Sequence, residues 1–205
     1  MFISYSFIYD ILCAAINLKG DIRMNIDPVL YTGRPEEARM EKEMRCYDLL
    51  DLLGISYLRA DHDNADTIEL CHEIEKVLGC HICKNLLLTN RQMTAFYLLM
   101  MPGDKPFKTK DLSKQIGSAR LSFATGEQME QLLSTKPGSL SVLGLMNDTE
   151  GKVKLLIDSD LTAYEYIGCH PCMNSSTLKI SMADVIGLLL PAMHHDITLV
   201  DLPRE

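Results

Sequence analysis

The chain has 205 residues, 47% of them hydrophobic and 23% charged, a balance that excludes disordered and fibrous classes and allows folding without disulfide or metal staples. Twenty Lys and Arg against 28 Asp and Glu leave a net charge of −8, which argues against indiscriminate binding to nucleic acid, DNA included, or to anionic membranes. Seven cysteines, an odd number outside any disulfide-dense module, point to the reducing cytoplasm, and no run reaches the roughly 18 clean apolar residues of a membrane span.

Residues 1–23 read as an N-terminal extension outside the fold: the segment is apolar, but no positive charge precedes Lys19 and Asp10 interrupts it, unlike a signal peptide. Residues 24–205 read as one domain. Pro35-Glu36-Glu37 suits the first turn of a helix, with Cys46, Leu49, Leu50 and Leu53 on its inner face and Gly54 as its stop. Residues 55–60 follow as a strand. Asp66-x-x-Glu69 has capping-box spacing for a second helix that buries Leu70, Ile74, Val77 and Leu78 and ends at Gly79. Residues 85–89 and 94–101 form a hairpin around Asn90-Arg91-Gln92, closed by Pro102-Gly103-Asp104.

Thr109 caps a short helix to Ile116, and Thr125-x-x-Gln128 caps another that buries Met129, Leu132 and Leu133. After Pro137-Gly138, residues 142–146 and 152–158 are expected to pair as strands. A strand over 164–167 leads into a polar loop from Gly168 to Asn174, then a strand over 178–180. Ser181-x-x-Asp184 caps the last helix and 197–200 is a closing strand. The alternation predicts a single compact mixed α/β domain.

Charge is uneven along the chain. From Lys84 to Arg120 the segment carries +5 and the remainder −13. A solvated face is one reading; a patch that steers a phosphate backbone, with Lys108 and Lys114 among its contacts, is the other.

Two CxxC pairs, Cys80/Cys83 and Cys169/Cys172, raise the possibilities of zinc and of a redox dithiol. Their separation of 86 residues is far longer than the usual zinc-ribbon spacing, which weakens that signal, and Cys80 follows a helix where a thioredoxin-type pair would open one. Buried thiols are the favoured reading, with no metal and no cofactor. Asp61-His62-Asp63 reads as a polar loop before a helix. The chain holds no Gly-rich phosphate loop, GxSxG elbow or HExxH.

Four stretches occur in one order: Lys84-Asn85-Leu86-Leu87-Leu88; Arg120-Leu121-Ser122-Phe123-Ala124; Pro137-Gly138-Ser139 with Gly144-Leu145-Met146-Asn147-Asp148; and His170-Pro171-Cys172-Met173-Asn174. Together they resemble the YbaK/prolyl-tRNA-synthetase-associated editing family over about residues 30–200, and within it the free-standing prolyl-tRNA deacylases that clear alanine mischarged on proline tRNA. The resemblance implies a mixed, barrel-like β-sheet flanked by helices and metal-free hydrolysis of an aminoacyl ester. It implies Lys84 as the catalytic lysine, Asn85 beside it in one pocket, and Gly168, His170, Pro171 and Asn174 as the substrate loop. Arg120 falls on a residue used on the tRNA acceptor end. The implied partners are the acceptor end of proline tRNA and prolyl-tRNA synthetase.

Two departures stand out. Thr89 stands where alanine-specific relatives often carry a second lysine, and Val142-Leu143 replaces a more usual Pro-Phe. A non-catalytic module that binds tRNA or the synthetase, and a cysteine- or serine-directed deacylase of the same fold, are the rival readings.

Overall fold

The computed structural model describes residues 25–64 and 68–204. The N-terminal extension and the Asp66 end of the second helix's capping box lie outside the described residues.

The helix expected from Pro35 starts later. It runs from Glu41 to Leu52 (α1), with Met40 as its N-cap and Glu41 and Glu43 in its first turn. Glu43 is buried rather than solvated, because Arg39 and the hydroxyls of Tyr47 and Ser176 surround its carboxylate at 3.0–3.1 Å. Gly54 and Gly79 end α1 and the second helix, Ile68–Leu78 (α2), in left-handed conformation at φ of 66° and 62°, the backbone that glycine adopts without strain.

Among the described residues nine strands form one mixed sheet: β1 (Tyr31–Thr32), β2 (Tyr57–Asp61), β3 (His81–Asn90), β4 (Phe96–Pro102), β5 (Leu121–Phe123), β6 (Val153–Asp158), β7 (Tyr166–Cys169), β8 (Ser176–Ser181) and β9 (Ile197–Val200). Their order is β1-β2-β8-β7-β3-β4-β6-β9, with β5 added to β3. The hairpin β3–β4 is as the alternation predicts, Asn85 lying across from Met100 and Leu87 from Leu98. Helices α3 (Thr109–Gln115) and α4 (Gly126–Leu133) follow. Thr125 and Gln128 make the expected reciprocal capping box, whereas α3 starts without a side-chain cap, Thr109 lying inside its first turn. The last helix, α5 (residues 182–192), is capped by Ser181 and contains a π-helical stretch over Val185–Leu189.

Residues 142–147 are a 3₁₀ helix, not a strand. Ser141 accepts a hydrogen bond from the Leu143 amide, and a Cβ at Gly144 would lie 3.1 Å from the Leu133 carbonyl, so the segment turns tightly against the end of α4. β6 therefore pairs in parallel with β4 and β9.

The sheet is covered on both faces. Its main core joins Leu87, Leu98, Met100 and Leu155 to Cys46, Tyr47 and Leu50 of α1, Leu133 of α4 and Val185 and Leu189 of α5. The opposite face carries two smaller clusters: Ile74 and Leu78 of α2 pack on Ala60 and Ile82, and Leu112 of α3 packs on Leu88, Leu99 and Met101. No helix among the described residues is long and apolar enough to cross a membrane.

Candidate active site

β3 is shared between two parts of the sheet. Along one edge it pairs with β4; along the other, its first residues meet β7 in parallel and its last residues meet β5. Among the described residues no strand pairs with residues 83–86 on that second edge. Lys84 sits in this opening. Side chains alternate along a strand, so Lys84 shares its face with Ile82, Leu86 and Leu88 and lies between the α2 and α3 clusters. It is half-buried, and its Nζ donates to the Lys105 carbonyl at 3.3 Å. Packing supports the stem while the ammonium keeps donors for a ligand.

The carbonyl that holds Lys84 is itself anchored. Lys105 is 2% exposed, and its ammonium reaches Asp158 at 2.9 Å and Asp160 at 3.0 Å. Burial alone would lower this ammonium's pKa, but the hydrogen bonds it donates to both carboxylates outweigh it and hold the pKa above its ordinary value. Lys105 therefore drops out of the surface patch expected from the charge run. Lys108, Lys114 and Arg120 are exposed and make no ion pair among the described residues.

Asn85 does not share a pocket with Lys84. Alternation turns it to the main-core face beside Cys83 and Leu87, where its Nδ2 donates to the Cys83 carbonyl at 3.3 Å and its Oδ1 has no partner among the described residues. Thr89 is buried, its hydroxyl donating to the Ala95 carbonyl of its own hairpin turn at 3.1 Å. Val142 and Leu143 are also buried, in the main core.

The expected polar loop is neither wholly loop nor solvated. Gly168 and Cys169 belong to β7, and Gly168 pairs with Ile82 on one side and Lys179 on the other. Its lack of a side chain serves strand contact rather than a turn: a Cβ there would lie 2.8 Å from Ile82 Cγ1. His170, Pro171 and Asn174 are buried. His170 Nδ1 lies 2.9 Å from the Ser176 carbonyl, which can only accept, so this nitrogen carries the proton. The same nitrogen is 3.2 Å from Thr177 Oγ1, which lies 2.9 Å from His62 Nε2. His62 Nδ1 in turn donates to the Asp63 carbonyl at 2.7 Å. One hydroxyl thus ties the two imidazoles together, their rings 6.1 Å apart.

Thr177 lies across from Ala60 of the α2 cluster, so this chain of hydrogen bonds and Lys84 occupy the same side of the sheet. Burial, offset in part by the Ser176 carbonyl, pushes the His170 pKa down to about 4, and burial lowers His62 as well. Both rings are neutral at pH 7. The sequence singles out neither His62 nor Lys105, since one reads as loop and the other as part of a charge run.

The β3–β7 contact brings the two CxxC pairs together at the rim of the main core, with Cys83 and Cys169 buried. Burial holds Cys80 up at about 11 and Cys169 up at about 12, leaving unreactive thiols. No group of three or more His, Cys, Asp or Glu among the described residues is placed to hold a metal. A cleft of about 720 Å³ lies against α1 and α5, is lined by Arg45, Asp48, Met146 and His194 among others, and contains none of the residues above.

A half-buried lysine in an opening of a mixed sheet suits chemistry on a substrate that is already activated. The family model for the aminoacyl-tRNA editing domain matches residues 62–188. The chain belongs to this family. Editing is hydrolysis of the ester joining an amino acid to tRNA, so the protein is an aminoacyl-tRNA deacylase that serves translation fidelity. It is 32% identical over 136 residues to the prolyl-tRNA editing protein ProX of Acetoanaerobium sticklandii, covering 66% of this chain and 83% of that one. It is 29% identical over 176 residues to prolyl-tRNA synthetase associated domain-containing protein 1 of Danio rerio, covering 85% and 95%. A solved structure described as a candidate trans-editing enzyme for prolyl-tRNA synthetase superposes with a TM-score of 0.59 over 81% of this chain and 100% of that one, at 14% identity. At that identity the superposition carries the fold.

Proposed function

We propose that the protein acts in trans to remove a mischarged small amino acid, alanine, from proline tRNA. The observation that carries the reading is Lys84, a single ammonium held by the Lys105 carbonyl in the opening of β3, within a family that hydrolyses aminoacyl esters. The relative from Acetoanaerobium sticklandii is by name a prolyl-tRNA editing protein, which supports proline tRNA as the carrier.

An aminoacyl ester needs little further activation, so the protein's work is to position it and to stabilise the negative charge that develops on the carbonyl oxygen. Lys84 offers a compact positive charge for that oxygen or for the adjoining phosphate. The neutral His170 and the buried Asn174 would bound the space for the amino acid, and the vicinal ribose hydroxyl would place the attacking water. Alanine differs from proline by little apolar bulk. A methylene is worth about 1–3 kcal/mol of discrimination, which is why a second enzyme corrects the product after charging.

The test is a panel of proline tRNA charged with alanine, cysteine, serine or proline. Alanine should be released and proline retained. Lys84→Ala should fold normally, bind tRNA nearly as well and lose roughly 10²–10³ in rate, and Lys84→Arg should rescue poorly because a planar fork does not occupy an ammonium's place. Wild-type single-turnover rates in Lys84→Ala would refute the assignment and favour a non-catalytic binding module; preferential release of cysteine or serine would move the substrate, not the chemistry.

A further inference from the structure

Phe123 is not used by the core or by the chemistry above. It is 58% exposed although it belongs to a strand of the sheet. It lies across from Leu88 and so on the face that carries Lys84. Its ring meets that of Phe107 at a centroid distance of 6.0 Å and an interplanar angle of 69°. Phe107 is half-buried and roots the pair in the α3 cluster, so the rings are held in orientation while more than half of Phe123 stays open to solvent. Cations border the pair along the chain. Lys108 directly follows Phe107, and Arg120 directly precedes β5; both are exposed.

A lone exposed ring needs no explanation. An oriented aromatic pair beside unpaired cations is the composition that binds unpaired nucleotides, the ring taking the π-face of a base and the cations its phosphates. Its location narrows the occupant. Leu88 is four residues along β3 from Lys84, about 13 Å at strand spacing, a gap that the ribose and base of one nucleotide can bridge. We propose that Phe123, supported by Phe107, is the stacking platform for the unpaired 3′-terminal adenine of the aminoacyl-tRNA. This rests on the reading that Lys84 holds the ester.

The probe is uncharged proline tRNA with 2-aminopurine in place of its terminal adenine. Stacking on Phe123 should quench its fluorescence on binding. Phe123→Ala should abolish the quench and weaken binding roughly five- to hundredfold, and Phe123→Trp should retain both. With tRNA lacking the terminal nucleotide, wild type and Phe123→Ala should bind equally. Phe123→Leu, which keeps apolar bulk without a π-system, guards against misfolding and should behave as the alanine variant does. Unchanged affinity and quench in Phe123→Ala, or a deficit that persists on the truncated tRNA, would overturn the platform. Release of alanine by the wild-type protein tests the underlying reading separately: a chain that deacylates while Phe123→Ala binds normally loses the platform and keeps the activity.

Discussion

The two flanks of Lys84 are built in opposite ways. On the β7–β8 side, residues 170–176 are largely buried, and His170 and His62 are linked through hydrogen bonds to the shared Thr177 hydroxyl. On the β5 side, Phe123, Lys108, Lys114 and Arg120 stand in solvent. A buried, hydrogen-bonded wall holds its shape because removing any one partner strands a polar group. An exposed basic surface holds no such shape, but it meets a long charged ligand at little cost in folding energy. Changes on the first flank should register as stability, and changes on the second as affinity.

Lys105 tests where the two flanks join. Lys105→Met leaves Asp158, 0% exposed, without its cation, and breaking a buried pair from one side costs about 3–5 kcal/mol. Denaturant unfolding should report that loss, and the remaining folded protein should show a reduced deacylation rate, because the carbonyl that holds Lys84 moves with its residue. Retention of wild-type stability would mean that the pair is not anchored as described.

The buried flank should be sensitive to acid. His170 titrates near 4 in the folded chain, chiefly through burial, against about 6.5 when unfolded. Above pH 6.5 both states are neutral and the group contributes no pH dependence. As pH falls from there towards 4, the unfolded chain takes up a proton that the native ring refuses, so stability declines by about 3 kcal/mol across the window. His62, lowered in the same direction, adds to the slope. His170→Gln should flatten the dependence of unfolding free energy on pH; an identical slope in the variant would remove His170 as its source.

The smallest effect on stability belongs to the exposed flank. Lys108→Glu and Lys114→Glu should leave unfolding within about 0.5 kcal/mol of wild type. Where the replaced lysine binds a phosphate, tRNA affinity should fall and the slope of log affinity against log salt should shrink by roughly one. Unchanged salt dependence in both would reduce this surface to ordinary solvation.

How much of the molecule is legible in the sequence follows the range of the forces involved. The β3–β4 hairpin and the Thr125–Gln128 capping box are readable because their partners lie a few residues apart. The 3₁₀ segment over 142–147 reads wrongly as a strand because a short apolar run is ambiguous, and the deciding contact is with Leu133 in another helix. His170 reads only as part of a polar loop because the hydroxyl chain from it ends on His62, whose link to Thr177 spans 115 residues. Lys105 reads as one more surface cation because its carboxylates stand 53 and 55 residues further on. Motifs in order point to Lys84, but its separation from Asn85 emerges only with the strand, since a motif names residues without saying which way each one faces.

Gly168 carries a consequence for how such a chain can change. Its hydrogen stands where any Cβ would press on Ile82 Cγ1 at 2.8 Å and on the Ile82 Cα at 3.1 Å. Positions 168 and 82 are therefore one degree of freedom, not two. A side chain arriving at 168 alone drives β7 away from β3 and widens the opening in which Lys84 sits; trimming Ile82 alone leaves a void in the α2 cluster. Only paired substitution relieves the contact, and only in part, so the energies of the two single changes will not add. Sequence drift on this rim is confined to coordinated steps.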